Sequence, residues 1–288
     1  LGGGKFGLYA GEILCDTKGN VLCGKDQQIA AAVSDANGEA VFDADLPLGI
    51  YYVKELEAPA GYVKDETPVK IDLGAGIPEK VAAQISEREE LELTVDPDGS
   101  NVMYLTVSDI QTTVEISKQD VTDCAEIPGA KLTVFDEQEH IVDTWTSGEK
   151  PHSIRGLEPG HAYILREETA PFGYVVAEDV TFTVENTGEV QPVHMFDKHA
   201  MGQLRIEKRD KKTDQLLEGA HFELRDEDGS VLEELVTDKN GEAVSSVLEI
   251  ATFANGRAGK EKTYTLVETK APAGYQKDDQ EYKVRFAY

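Results

Sequence analysis

Three ionisable residues of this 288-residue chain occupy strand positions that would turn them toward a protein core. Lys118 lies in T-V-E-I-S-K-Q-D, where a side-chain period of two places it on the same face as Val114 and Ile116. Glu167 shares a face with the apolar residues of Y-I-L-R-E-E-T, and Asp197 ends the apolar stretch of V-H-M-F-D-K. An amine and two carboxyls in one dry site would form an ion pair or become neutral by proton exchange.

Each of these residues also has an ordinary explanation. The Lys118 stem could run along the core while its ammonium reaches water. Glu167 could be an exposed acid in the middle of a sheet, and Asp197 a solvated residue at a strand end. An unpaired ammonium on a core face is costly, however, and three groups of complementary type on inward faces favour a shared buried site.

The strands that carry these residues belong to an internal repeat. The pattern E-x-x-A-P-x-G-Y, preceded by an alternating apolar strand, occurs three times and places Glu55, Glu167 and Glu268 in equivalent positions. The separations are 167 − 55 = 112 and 268 − 167 = 101 residues, which is the length of one small domain. We call each E-x-x-A-P-x-G-Y segment a box.

A second repeated strand precedes each box, in K-F-G-L-Y, P-G-A-K-L-T-V-F and E-G-A-H-F-E-L-R. Short alternating strands separated by Asp- and Gly-rich turns predict an all-β chain of three tandem immunoglobulin-like or prealbumin-like β-sandwich domains. We expect these modules at 1–111, 112–198 and 199–288, with an insertion near 78–101. The segment from Pro78 to Leu93 could form a helix, although an acidic loop is favoured slightly.

The segments I-S-K-Q-D, P-G-A-K-L-T-V-F, E-E-T-A-P-F-G-Y and the acidic closing strand resemble the Cna B-type repeats of Gram-positive adhesins and the related pilin backbone domains. The resemblance covers nearly the whole chain. In that family a strand lysine joins an Asn or Asp near the end of the last strand through a spontaneous isopeptide bond, assisted by the box glutamate. The resemblance therefore implies a bond between Lys118 and Asp197, with Glu167 as the assisting acid.

This implied chemistry is physically reasonable. Burial lowers the pKa of an amine and raises that of a carboxyl, which leaves a neutral nucleophile beside a protonated acid. A glutamate between them can carry protons from the attacking amine to the departing oxygen. A well-oriented intramolecular reaction can gain roughly 7 to 11 kcal/mol from proximity.

The outer modules depart from the family pattern. The first has Glu55 and an acidic partner in Asp109, but no lysine strand precedes K-F-G-L-Y, and Lys5 aligns with the second repeated strand instead. The third has Lys208 and Glu268, whereas a closing strand with its Asx is missing from the sequence given. We therefore expect partial sets in both outer modules and predict no intact bond there.

Composition narrows the choice of partners. The 55 acidic and 28 basic residues give a net charge of −27, which repels nucleic acid and anionic membranes. Three cysteines are too few for a disulfide framework, although Cys15 and Cys23 flank a turn and could pair across a hairpin. The histidines show no metal-ligand spacing, and no motif indicates a cofactor.

We therefore expect a structural protein that extends a wall-attached adhesin or pilus outside the cell. No apolar stretch of about 20 residues and no signal peptide are present, so targeting and cell-wall anchoring segments are expected outside this sequence. Those segments would connect it to a sortase-assembled pilus or to peptidoglycan. The alternative is an adhesin module whose loops, such as the insertion, bind a host ligand. An enzyme acting on an external substrate has little support.

Overall fold

The computed structural model describes residues 1–73, 83–86, 89–95 and 101–287, and within these ranges the chain forms strands and no helix. This confirms the prediction of an all-β chain. The chain divides into two compact units, which consist of residues 1–115, 153–163 and 181–193 and of residues 116–152, 164–180 and 194–288. Because the described residues contain no helix, they contain none that could cross a membrane.

The first predicted module is built on a four-stranded sheet in the order β4-β1-β5-β6. A hairpin of β2 and β3 and a three-stranded sheet in the order β7-β8-β9 complete it. Alternating apolar residues of β1, β5 and β6 form its core, including Leu8, Tyr51, Val53 and Ile71. Its strands are β1 (Lys5–Ala10), β2 (Leu14–Cys15), β3 (Val21–Cys23), β4 (Gln28–Val33), β5 (Ile50–Glu57), β6 (Val69–Asp72), β7 (Ala83–Ser86), β8 (Glu89–Val95) and β9 (Asn101–Val107).

The expected insertion contains strands, contrary to both forms predicted for it. Residues 83–86 form β7, which pairs with β8 at residues 89–95. On its other side β8 pairs with β9 in a regular antiparallel register, from Glu89 opposite Val107 to Val95 opposite Asn101. The alternation in E-E-L-E-L-T-V has the strand period of two, which the density of acidic residues concealed. The rest of the interval 74–100 lies outside the described residues.

The middle predicted module consists of two four-stranded sheets in the orders β13-β10-β17-β15 and β12-β11-β14-β16. The first and last strands of the module, β10 and β17, are therefore neighbours in one sheet. The other sheet carries the box strand β14 beside β11. The strands are β10 (Thr113–Asp120), β11 (Lys131–Phe135), β12 (Ile141–Thr146), β13 (His152–Arg155), β14 (Ala162–Thr169), β15 (Tyr174–Val175), β16 (Val180–Thr183) and β17 (Val190–His199).

The third predicted module has a four-stranded sheet in the order β21-β20-β26-β27 and three two-stranded pairs, β18-β23, β19-β22 and β24-β25. Its core includes Phe222, Leu224, Tyr264 and Leu266. Its strands are β18 (Met201–Gly202), β19 (Arg205–Glu207), β20 (His221–Arg225), β21 (Val231–Val236), β22 (Glu242–Val244), β23 (Leu248–Glu249), β24 (Ala251–Ala254), β25 (Arg257–Glu261), β26 (Tyr264–Lys270) and β27 (Glu281–Val284).

The two neighbouring cysteines lie on the predicted hairpin, but they do not face each other. Cys15 is opposite Val21 and Cys23 is opposite Leu14. Cys23 packs against the core of the first module, whereas Cys15 is exposed, and both are free thiols in the structure. A register in which the two cysteines are direct cross-strand partners is therefore not the one adopted.

Candidate functional site

Lys118 points into the core of the middle module. It belongs to the row of alternate residues on β10 that also contains Val114 and Ile116, all of them buried. Only 2% of Lys118 is exposed, so its ammonium does not reach water along the surface. This placement removes the ordinary explanation of a lysine whose head group is solvated.

Both candidate carboxylates meet this ammonium. Lys118 Nζ donates a hydrogen bond to Asp197 Oδ1 and lies 3.1 Å from Glu167 Oε2. Asp197 and Glu167 are themselves buried. The three residues come from β10, β14 and β17, so the site joins the first and last strands of the module to its box strand.

Three effects act on the pKa of Asp197. Burial and the charge of Glu167 raise it, whereas the neighbouring Lys118 lowers it. Burial is the largest effect, and the resulting pKa is about 7. Near neutral pH a substantial fraction of Asp197 is therefore a carboxylic acid, which is the form that can lose water to an amine.

A local loop fixes the orientation of Glu167. The backbone amide of Ala177 donates a 2.6 Å hydrogen bond to Glu167 Oε2. The other oxygen, Oε1, is buried and accepts no hydrogen bond from the described residues, and the same holds for Asp197 Oδ2. The pocket thus holds one amine, two carboxyl groups and two unused carboxyl oxygens, which suits proton transfer between the acids.

The box builds the same loop in all three modules. The amide ten residues after each box glutamate donates to its Oε2, from Asp65 to Glu55 at 2.6 Å and from Asp278 to Glu268 at 2.8 Å. Both of these glutamates are buried, like Glu167. The acid position is therefore a property of the repeat, and the differences between modules lie in the groups around it.

The outer modules bring together only part of the set. Lys208 Nζ lies 2.9 Å from Glu268 Oε2, but within the described residues this pair lacks the third member that Asp197 supplies in the middle module. Lys5 pairs with Glu57 at an exposed position 3.1 Å away, so it does not take the place of Lys118. Asp109 is partly buried two residues beyond β9.

A second buried polar cluster adjoins the site, and the sequence reasoning missed it. Asp120 Oδ2 accepts a 2.8 Å hydrogen bond from the Tyr174 hydroxyl and lies 2.8 Å from His199 Nε2. Burial opposes the charged form of Asp120, but hydrogen bonds from His199, the Thr122 amide and Tyr174 outweigh it and lower its pKa. Burial, together with Asp120, strongly raises the pKa of Tyr174.

The signal for this cluster was present in the sequence. Asp120 follows Lys118 by two residues, as Asp210 follows Lys208, and Tyr174 is the last residue of the box. His199 follows Asp197 by two residues on β17. Strand alternation therefore predicts that Asp120 and His199 continue the same inward rows as the lysine and the acid.

Comparison with known proteins identifies the family. The SpaA prealbumin-like fold domain matches three segments of the chain, residues 1–86, 112–199 and 202–287. The chain therefore belongs to this family and contains three of its domains. A search of the curated proteins gave no match.

Solved structures that the search matched include one Bacillus anthracis protein and two pilus proteins. The Bacillus anthracis TIE protein is 24% identical with a TM-score of 0.52, over 99% of this chain and 45% of that protein. BcpA, the major pilin subunit of Bacillus cereus, is 16% identical with a TM-score of 0.43, and the match covers 100% of this chain and 91% of BcpA. A C-terminal fragment of the pilus adhesin SpaC from Lactobacillus rhamnosus GG is 17% identical with a TM-score of 0.43, and the match covers 69% of this chain and 89% of the fragment. The chain thus spans less than half of the TIE protein structure.

Proposed function

We propose that this chain is a structural part of a bacterial surface protein or pilus, and that an isopeptide bond between Lys118 and Asp197 closes its middle module. The observation that carries the proposal is the buried contact of one ammonium with two carboxylates, Asp197 and Glu167. Membership of a family of prealbumin-like domains supports the structural role. The tandem modules would act as spacers that hold their shape outside the cell.

The proposed reaction is an intramolecular condensation. Neutral Lys118 Nζ attacks Cγ of protonated Asp197, and Glu167 accepts a proton from the amine and returns one to the departing hydroxyl. A C–N bond forms, a C–O bond breaks and one water leaves, so no oxidant or reductant is needed. The raised pKa of Asp197 supplies the protonated acid, and the fixed Glu167 supplies the proton path.

The bond would matter because of where it lies in the fold. It would join two neighbouring strands, β10 and β17, that are the first and last of the module, and so close a loop of 197 − 118 = 79 residues. By analogy with disulfides, a crosslink over such a loop contributes about 4 to 5 kcal/mol, mainly through the unfolded state. An amide also resists reduction, so the stabilisation would not depend on redox conditions.

The proposed setting is extracellular and attached to the cell wall. The chain would be joined there to a sortase-assembled pilus or to peptidoglycan. The net charge of −27 suits a protein present at high local density, since repulsion between like charges keeps neighbouring copies from aggregating.

Intact mass tests the proposal directly. We expect the purified chain to be lighter than its sequence mass by about 18 Da, the mass of one water. Lys118→Ala should restore the sequence mass, and Lys208→Ala, at the equivalent position of the third module, should leave the deficit unchanged. Tryptic digestion should give a branched peptide that contains both Lys118 and Asp197. A full sequence mass for the unmodified chain would refute the bond while leaving the family assignment intact.

A further inference from the structure

A second pair of side chains joins the two strands that carry Lys118 and Asp197, which we call the reactive pair. His199 Nε2 lies 2.8 Å from Asp120 Oδ2, and the sequence separation of these residues, 199 − 120 = 79, equals that of the reactive pair, 197 − 118 = 79. The two pairs therefore lie side by side on the neighbouring strands β10 and β17, two residues apart on each. All four residues belong to the inward rows of these strands.

Further hydrogen bonds fix the orientation of Asp120. The Tyr174 hydroxyl donates a 2.8 Å hydrogen bond to Asp120 Oδ2, and Tyr174 is also the cross-strand partner of His199 in the pairing of β15 with β17. The Thr122 amide donates to Asp120 Oδ1 at 2.7 Å. The side chain of Asp120 is 3% exposed and that of His199 is 16% exposed. The carboxylate is thus held facing His199 in a site that admits little water.

An aromatic ring of the third module covers His199. Phe253, in the hairpin β24-β25, stacks on the imidazole with a centroid distance of 3.6 Å and an interplanar angle of 5°. The same ring packs edge-on against Tyr174 at 5.3 Å. The hairpin is closely packed there, since a Cβ added to Gly173 would lie 2.5 Å from Cβ of Ala258. The imidazole therefore has little freedom to rotate.

Apolar packing alone does not fix the register of β10 against β17. The inward residues that precede Lys118 and Asp197 are apolar in both strands. A slip of one residue would turn them outward, but a slip of two would keep them inside the core. Either slip would separate the amine from the carboxyl that it attacks. A polar pair that forms in one register only would remove this ambiguity.

We propose that His199 is a positioning residue for the condensation of the reactive pair, and that Phe253 of the third module keeps it in place. The contact between His199 and Asp120 forms only in the register that brings the reactive pair together. The proton transfers remain with Glu167. This inference rests on the proposed isopeptide bond.

The proposal makes the reaction of the middle module depend on its neighbour. The hairpin that carries Phe253 belongs to the third module, so the condensation should be fastest once that hairpin is folded against His199. A misplacement on the order of 1 Å can slow an oriented reaction about a hundredfold. Loss of register control should therefore be visible as a change in the rate of crosslinking.

Time-resolved intact mass of the full chain after cell-free synthesis tests the positioning role. His199→Ala should slow the loss of one water by about tenfold to a hundredfold. His199→Gln should restore most of the rate, because its amide nitrogen can replace Nε2 as a donor to Asp120. His194→Ala is the matched control, since His194 lies on the outward face of the same strand, 3.2 Å from Gln119 of β10.

A variant of the third module tests the contribution of the stacked ring. Phe253→Ala should slow the reaction about twofold to tenfold, the range expected for loss of an aromatic pair. Tyr282→Ala is its control, because it removes a ring of the third module whose hydroxyl donates to Asp278 of the same module. Repeating both series in Glu167→Gln, where the reaction is slow, resolves rates that are too fast to measure in the unmodified chain.

The outcomes separate this inference from the bond itself. An unmodified chain that loses water, with equal rates for His199→Ala and His194→Ala, would overturn the positioning role alone, as would a His199→Gln rate no higher than that of His199→Ala. An unmodified chain of full sequence mass would refute the bond and the positioning role together. Amide exchange in Lys118→Ala, which cannot form the bond, tests register without the reaction. There β17 should exchange faster with His199→Ala added than with His194→Ala added, and equal exchange would contradict register control by His199.

Discussion

Glu167 contacts Lys118 through Oε2, the oxygen that also accepts the Ala177 amide, and this leaves Oε1 buried without a hydrogen bond from the described residues. The loop therefore fixes the carboxylate beside the amine while keeping one oxygen available for a proton. A carboxamide of the same shape could preserve the contacts but could not carry that proton. The distinction provides a test of the role of Glu167.

We expect Glu167→Gln to fold with the same strand arrangement and to lose most of the mass deficit. General acid-base groups typically contribute a factor of about 10² to 10⁴ in rate, so the variant should remain uncrosslinked for much longer after synthesis. Time-resolved intact mass after cell-free synthesis would measure this. Glu268→Gln is the matched control in the third module, and an equal effect of both substitutions would contradict a specific role for Glu167.

The leaving group predicts the outcome of Asp197→Asn. An asparagine at this position would release ammonia in place of water, so the mass deficit should change from about 18 to about 17 Da. Asp197→Ala should abolish the deficit because it removes the carbonyl carbon that the amine attacks. High-resolution mass spectrometry distinguishes the three cases. An unchanged deficit of 18 Da in Asp197→Ala would place the bond elsewhere in the chain.

The raised pKa of Asp197 predicts a pH-dependent stability when the bond cannot form, as in Lys118→Met. Burial and the charge of Glu167 raise the folded-state pKa of Asp197 above the ordinary value of 3.8, and Lys118→Met removes the neighbour that lowers it, so the folded module holds this proton more tightly than the unfolded chain. The resulting stabilisation is complete below about pH 4 and is lost as the pH rises through the raised folded-state pKa.

Amide exchange of β10 and β17 would measure this change. The double variant Lys118→Met with Asp197→Asn is the control, since an amide does not titrate. As the pH rises, Lys118→Met should lose unfolding free energy relative to the double variant. Parallel pH profiles for the two would contradict the raised pKa.

The hydroxyl of Tyr174 should contribute measurably to the middle module. Tyr174→Phe removes the donor to buried Asp120, and leaving a buried acceptor short of a partner costs about 1 to 3 kcal/mol. Tyr275, the equivalent residue of the third module, hydrogen-bonds Asp210 and is 41% exposed, so Tyr275→Phe removes a bond that water can replace. Thermal unfolding should therefore show a loss for Tyr174→Phe and almost none for Tyr275→Phe. Equal losses of stability in the two variants would contradict the claim that burial makes the Tyr174 hydrogen bond more stabilising than that of Tyr275.

Strand alternation predicted the fold class and the inward direction of Lys118, Glu167 and Asp197, because one face of each strand is buried and the period is two. The same rule, applied two residues further, would have found Asp120 and His199. Strand β8 was missed because the acidic residues of E-E-L-E-L-T-V obscured its period of two, and β7 is only four residues long. The ring of Phe253 stacks on His199 at a centroid distance of 3.6 Å, and no local sequence pattern predicts this contact between distant residues.

The spacing of the box has a consequence for how such chains can vary. From glutamate to glycine the distance is six residues in every module, as 61 − 55, 173 − 167 and 274 − 268 each give 6. One short segment thus fixes the spacing between the buried glutamate and the turn that carries the box tyrosine. An insertion between the glutamate and the glycine would shift Tyr174 away from Asp120 in the middle module, so we expect differences in length to lie elsewhere in the chain.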